Sequence, residues 1–187
     1  PLLLGATLAG ADASVLQALE AYARPMGVAF QLRDDLLGMY GTTKQTGKPE
    51  GSDLRAGKRT ALIAEAESRL DSQGKELLAR VFGVADAGEQ SVREAAAAIE
   101  QCGARNAVET RLKLLCTEAK SLALGLALHA DAREILAGAA DALRMDRDQH
   151  QGSSRLALAS GDAEHISSAL PQTPLKQGAE SRSETTL

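Results

Sequence analysis

The chain has 187 residues, a formal net charge of −4, 44% hydrophobic residues and 2% aromatic ones. No basic excess marks it for nucleic acid. The shortage of aromatic side chains points to helices packed through Leu, Ala, Val and Ile rather than to a β-sandwich.

Residues 1–10, PLLLGATLAG, are apolar. They lack the basic start of a signal peptide and fall short of the roughly 20 apolar residues of a membrane span. They read as the tail of a helix whose beginning is missing, so the chain is expected to be a fragment that does not span a membrane. A long helix is expected from Ser14, where Gln17 completes a capping-box pattern. Leu16, Leu19, Ala23, Met26 and Phe30 follow at spacings of three and four. Pro25 is expected to kink or reset that helix. The same stripe then reaches Asp34 and Leu37, which places Asp34 on the inward face with Gln31 and Asp35 close by. An inward carboxylate costs several kcal/mol in order of magnitude unless it is paired, hydrated or bound to metal.

Residues 39–57 read as loop, punctuated by Gly41, Gly47, Pro49, Gly51 and Gly57. Lys48 and Lys58 each follow a glycine, which lets backbone and ammonium approach an anion together. There is no GxxxxGK[ST], so this is not a P-loop. Two adjacent acids facing a basic loop suit a magnesium–diphosphate complex, although a solvated polar face is the common reading of such a pair.

A helix over 58–70 presents Leu62, Ile63, Ala66 and Leu70. Ser72, Gln73 and Gly74 break it, and a short continuation with Leu77, Leu78, Val81 and Phe82 closes at Gly83. Ser91 and Glu94 form a second capping-box pattern before Val92, Ala95, Ala96 and Ile99, and Gly103 ends that helix. Val108, Leu112, Leu115, Ala119, Leu122 and Leu126 make a regular seam, with Glu109 and Lys113 paired on its outer face. A last helix over 131–146 buries Ala132, Ile135, Leu136, Ala139 and Leu143. Cys102 and Cys116 form no CxxC pair, and His129, His150 and His165 are scattered, which argues against zinc. Both thiols are expected to be small buried side chains in a reduced, cytoplasmic protein. From Gln149 the composition turns to Gly, Ser, Gln, Thr and Pro, so residues 149–187 are expected to be a disordered polar tail on a helical domain of residues 1–148.

The pattern Phe30-Gln31-x-x-Asp34-Asp35 resembles the second aspartate-rich motif, FQxxDDxxD, of the trans-isoprenyl diphosphate synthase (polyprenyl synthetase) family. Thr46-Gly47-Lys48 and Gly51-x-Asp53-Leu54-x-x-Gly57-Lys58-x-Thr60 are similar to the family's downstream TGK and GxDLxxGKxT segments. The resemblance implies an all-α antiparallel bundle of the isoprenoid (terpenoid) synthase type with its N-terminal helices missing. It also implies a homodimeric prenyltransferase that joins an allylic diphosphate to isopentenyl diphosphate with Mg2+, giving a farnesyl, geranylgeranyl or longer trans-polyprenyl diphosphate. Carried over, Asp34 binds magnesium and Asp35 holds a metal-bound water. Gln31 faces the allylic substrate, and Lys48 and Lys58 act on its diphosphate.

The motif's last aspartate is Gly38 here, from which weakened metal binding is expected. The family's first motif, DDxxD, does not occur, and Asp34-Asp35 is the only Asp-Asp pair, so this chain alone is expected to be inactive. Two alternatives follow. One is a non-catalytic regulatory or truncated subunit that pairs with a complete synthase through the 108–126 seam. The other is a terpene cyclase relative, whose different second metal motif is not seen here.

Overall fold

A computed structural model describes residues 1–144, and every regular element among them is a helix. They belong to one compact unit, Pro1–Asp146. The tail expected from residue 149 lies outside the described residues.

After the short α1 (Leu2–Leu8), the axis of the fold is α2 (Ala13–Tyr40). Its cap is Asp12, not Ser14: the Asp12 carboxylate accepts from the Val15 N–H at 2.9 Å, and the Ser14 hydroxyl donates to the same oxygen at 2.7 Å. The carboxylate stands at the point where the chain turns in, so Ser14 becomes its donor.

Pro25 neither ends nor resets the helix. The buried positions Leu19, Tyr22, Pro25, Ala29, Leu32, Leu36 and Met39 keep spacings of three and four straight through it. This stripe is not the expected one. Phe30 is 63% exposed, and Asp35 rather than Asp34 turns inward. Small and large apolar residues occur on several sides of α2. The face with Tyr22, Leu32, Leu36 and Met39 offers more apolar volume and takes the core.

α2 packs along α8 (Ala104–Leu124). The two run antiparallel, because Tyr22 clusters with Ala119 and Ala123 while Tyr40 lies under the Arg105 guanidinium at 4.3 Å. α9 (Ala130–Leu143) covers the far end, where the Tyr22 hydroxyl donates to the Leu136 carbonyl at 2.8 Å. The expected face of α9 is displaced in part: Leu143 is buried as expected and Ala137 and Ala140 are buried with it, whereas Ile135 is 71% exposed. On α8, Val108, Leu112 and Ala119 are buried as expected, together with Cys116. Glu109 does not stand on the outer face. It is buried, and the Arg105 Nε donates to it at 2.8 Å.

The stretch read as loop contains two single turns of helix, α3 (Thr43–Thr46) and α4 (Ser52–Arg55). Next, α5 (Ala61–Arg69) begins three residues later than expected, capped by the Thr60 hydroxyl, which accepts from Ile63 N–H at 3.1 Å. Its buried face is the expected one: Leu62, Ile63, Ala66 and the following Leu70. The break comes at Leu70. Asp71 caps α6 (Ser72–Ala79), so Ser72 and Gln73 open a helix rather than end one. α7 (Glu89–Gln101) starts from Gly88, before the supposed Ser91 box; Glu94 instead accepts from Gln90 at 2.9 Å. Val92, Ala95 and Ile99 are its buried face, as expected, and Gly103 at φ +83° carries the chain into α8. Cys102 is half-buried and Cys116 buried, both as free thiols.

Candidate functional site

Three local structures converge on one ammonium group. The last turns of α2 supply Gln31, Asp34 and Asp35, α4 supplies Asp53, and the extended lead into α5 supplies Lys58. Lys58 Nζ lies 3.1 Å from Asp34 Oδ2, 3.4 Å from Asp35 Oδ1 and 3.2 Å from Asp53 Oδ2. Three carboxylates thus face one cation and leave a formal surplus of negative charge.

Their surroundings differ sharply. The Asp35 side chain is 3% exposed and the Asp34 side chain 58%. Asp35 Oδ1 accepts from Gln31 Nε2 at 2.8 Å, and its Oδ2 accepts from the Ala61 N–H at 3.1 Å. Asp35 therefore also caps the first turn of α5, where a carboxylate is favoured by the helix dipole. Asp34 keeps most of its surface open and points its charge toward solvent.

Burial disfavours the Lys58 charge. The hydrogen bonds it donates to Asp34 and Asp53, and then their charges, outweigh that and hold the amine above the ordinary lysine range. Its folded pKa is raised, so its contribution to stability is complete below the unfolded value of about 10.4 and is lost only as pH rises past that point.

The loop that presents Asp53 and Lys58 is fixed from below. Leu54 is fully buried, and its carbonyl accepts from the Gly57 N–H at 3.0 Å and the Gly83 N–H at 2.8 Å. Gly57 adopts φ +63°, and a Cβ there would come within 3.0 Å of the Gly83 Cα. Gly57→Ala is accordingly expected to cost about 2 kcal/mol in urea unfolding, from left-handed strain plus backbone crowding. A cost below about 0.5 kcal/mol would show that the loop tolerates another path.

Of the residues singled out from the sequence, Gln31, Asp34, Asp35 and Lys58 are brought together. Lys48 is not part of the cluster. It is exposed between α3 and α4, with its N–H donating to Thr46 Oγ1 at 3.2 Å. Asp53, which the sequence marks only as part of the GxDLxxGKxT-like segment, joins the cluster. Its signal was an acid five residues before Lys58 in a loop, where helical periodicity says nothing.

Among the described residues, no group of three or more His, Cys, Asp or Glu side chains is arranged to hold a metal unaided. Both Asp35 oxygens are engaged, which leaves Asp34 as the open donor. Mg2+ is commonly held by one or two carboxylates together with substrate phosphates and water. The donor set therefore fits a magnesium–diphosphate complex and not a bare ion. A cavity of about 380 Å³ lined by Arg69, Asp71, Gln73 and Cys102 includes none of the cluster residues. No helix of the described residues is long and apolar enough to cross a membrane.

Comparison with known proteins gives a consistent result. Residues 1–99 match the model of the polyprenyl synthetase family. A (2E,6E)-farnesyl diphosphate synthase from Mycobacterium bovis is 44% identical over 102 residues, which are 54% of this chain and 28% of that protein. The geranylgeranyl pyrophosphate synthase of Corynebacterium glutamicum, solved with isoprenyl diphosphate and magnesium, superimposes with a TM-score of 0.72 at 32% identity, over 77% of this chain and 41% of that one. A polyprenyl synthase of Caulobacter crescentus, solved with calcium and isoprenyl diphosphate, gives a TM-score of 0.66 at 33% identity, over 78% and 44%. The chain thus spans less than half the length of each of these relatives. The all-helical architecture described above is the one these synthases share.

Proposed function

The chain belongs to the polyprenyl synthetase family, and from that premise we propose that it supplies one side of the metal–diphosphate site of a trans-prenyltransferase. The substrates in this reading are an allylic diphosphate and isopentenyl diphosphate. The observation that carries it is the meeting of the Asp34, Asp35 and Asp53 carboxylates within 3.4 Å of the Lys58 ammonium.

The chemistry asks for little else from this side of the site. The allylic C–O bond breaks and diphosphate leaves with the electron pair. The double bond of isopentenyl diphosphate forms the new C–C bond, and the proton lost afterwards passes to the released diphosphate. Bound Mg2+ would neutralise charge growing on the leaving group, an effect worth several kcal/mol in order of magnitude. Asp34, the open carboxylate, would hold that ion with the phosphate oxygens. Asp35 and Gln31 orient Lys58 and the end of α2, with Asp35 free only to reach a metal through water. Lys58, and Lys48 from its exposed loop, would contact the diphosphate. Phe30, exposed one turn before Asp34, would offer apolar surface to the hydrocarbon chain and help keep water away.

In the same reading residues 1–148 are the C-terminal part of the synthase domain, and the whole protein is a cytoplasmic homodimer. The 187 residues alone, which hold only one Asp-Asp pair, are inactive. The test uses the protein that carries these residues in its complete reading frame, supplied with Mg2+ and both diphosphates. It is expected to lengthen the allylic chain, and Asp34→Ala is expected to lower kcat by about 100-fold. Turnover unchanged by Asp34→Ala, or product formed by the 187 residues alone, would overturn the assignment.

A further inference from the structure

We propose that Arg55 is a positioning residue for Lys48: its guanidinium holds the segment that carries Lys48 to the segment that enters α7. Residues 47–51, GKPEG, lie between α3 and α4 and form no helix of their own. Pro49 has no N–H to give, and it restricts Lys48 before it to extended backbone. The stretch is therefore fixed from outside. Behind it, the Thr46 hydroxyl accepts from the Lys48 N–H at 3.2 Å and donates to the Lys48 carbonyl at 3.0 Å. Ahead of it, the Gly51 N–H donates to the Met39 carbonyl at the end of α2, at 3.2 Å. Between these two anchors stands the Glu50 carbonyl, to which Arg55 Nη1 donates at 2.7 Å. Nε of the same guanidinium donates to the Ala87 carbonyl at 3.1 Å.

Arginine suits this task. A guanidinium is planar, stays charged and presents its donors in fixed directions, so one side chain serves two carbonyls at once. Packing does not replace it there. Beside the bridge the chain leaves a cavity of about 210 Å³, lined by Pro49, Glu50 and Arg55 and, from α7, by Glu89, Val92 and Arg93. The two lysines assigned to the diphosphate are thus held by different means. Carboxylates hold the Lys58 ammonium directly, whereas Lys48 is held through its backbone, with Arg55 two residues beyond Pro49's neighbour Glu50 in reach but on a separate turn of helix. A change at 55 should release one and leave the other. That Lys48 is held for a diphosphate rests on the function proposed above; the contact itself does not.

The first test is amide hydrogen exchange, followed by NMR, in the 187-residue chain. Arg55→Met keeps the length of the stem and removes the donors. It is expected to speed exchange of the Gly51 N–H by about tenfold, the scale of one charge-assisted hydrogen bond. The Lys58 N–H, bonded to the Asp53 carbonyl at 3.0 Å, and the amides of α8 should keep their rates. Arg55→Lys, whose single ammonium does not span both carbonyls, should give a smaller increase, and it decides the matter if Arg55→Met fails to fold. The second test is calorimetric titration with Mg2+ and inorganic diphosphate, where a merely structural role would not be selective. Arg55→Met is expected to weaken binding by about fivefold alone, to add nothing in the Lys48→Ala background, and to keep its full effect in the Lys58→Gln background.

Unchanged Gly51 exchange in the Arg55 variants would overturn the bridge. A loss of binding that persists undiminished in Lys48→Ala would overturn the positioning of Lys48. Faster Gly51 exchange in Arg55→Met, in a chain that shows no binding of magnesium and diphosphate before substitution, would count against the functional reading and leave the Arg55 bridge standing.

Discussion

Asp35→Ala is expected to destabilise the chain by about 3 kcal/mol, while Asp34→Ala changes stability by less than about 1 kcal/mol. The two residues are adjacent and chemically identical, so the difference comes from where α2 points them. Asp35 is 2% exposed, accepts from Gln31 and from the Ala61 N–H that begins α5, and pairs with the Lys58 ammonium at 3.4 Å. Its removal leaves those donors without their acceptor and opens a small void at the α2–α5 contact. A hydrogen bond to a charged group contributes roughly 1.5–3 kcal/mol. The share from Lys58 is discounted, because that side chain is 39% exposed and screened by solvent. Asp34 has no comparable duty, since among the described residues its ionic partner is Lys58 and most of its surface is in water. Thermal unfolding should show a Tm about 8 °C lower for Asp35→Ala and nearly unchanged for Asp34→Ala. Equal losses would mean that Asp35 is not the structural member of the pair.

Leu54→Ala is expected to cost about 3 kcal/mol and to loosen the segment that carries Asp53 and Lys58. Leu54 is 0% exposed and belongs to the main core cluster with Leu36, Met39, Leu62 and Val81. It is the buried residue of α4, a helix of one turn that has no capping side chain and could not persist alone. Its backbone bonds to Gly57 and Gly83 survive the substitution, so the loop keeps its outline and loses its anchor. Hydrogen exchange at residues 52–58 should therefore speed up more than exchange in α8, with urea unfolding reporting the total loss. A uniform change across the chain would show that Leu54 supports the fold generally rather than this loop.

The helical class was legible because scarce aromatics and three-and-four spacings leave few other folds. The faces of α5, α7 and much of α8 were legible too, since each carries one dominant apolar stripe. Leu62, Ile63 and Ala66, then Val92, Ala95 and Ile99, then Val108, Leu112 and Ala119 are all buried. α2 and α9 were not, because Ala and Leu on several sides allow competing stripes. A shift of one residue rotates a helix face by about 100°, enough to exchange the roles of Asp34 and Asp35 and to leave Ile135 outside. Cap residues were misplaced for a related reason. Asp12 and Asp71 lie ahead of the residues first read as the cap and the break, and a carboxylate at the entry turn competes well with a hydroxyl. The contact of Asp53 with Lys58 depends on how closely α4 approaches α2, a tertiary distance that helical periodicity does not encode.

The central claim is that the face formed by Asp34 and Lys58 receives a magnesium–diphosphate group. Calorimetric titration of the folded 187-residue chain with inorganic diphosphate, with and without Mg2+, tests it most directly. Binding that requires Mg2+ and weakens by at least about tenfold in Asp34→Ala is the predicted result. Binding of equal strength in the variant, or no dependence on Mg2+, would contradict it.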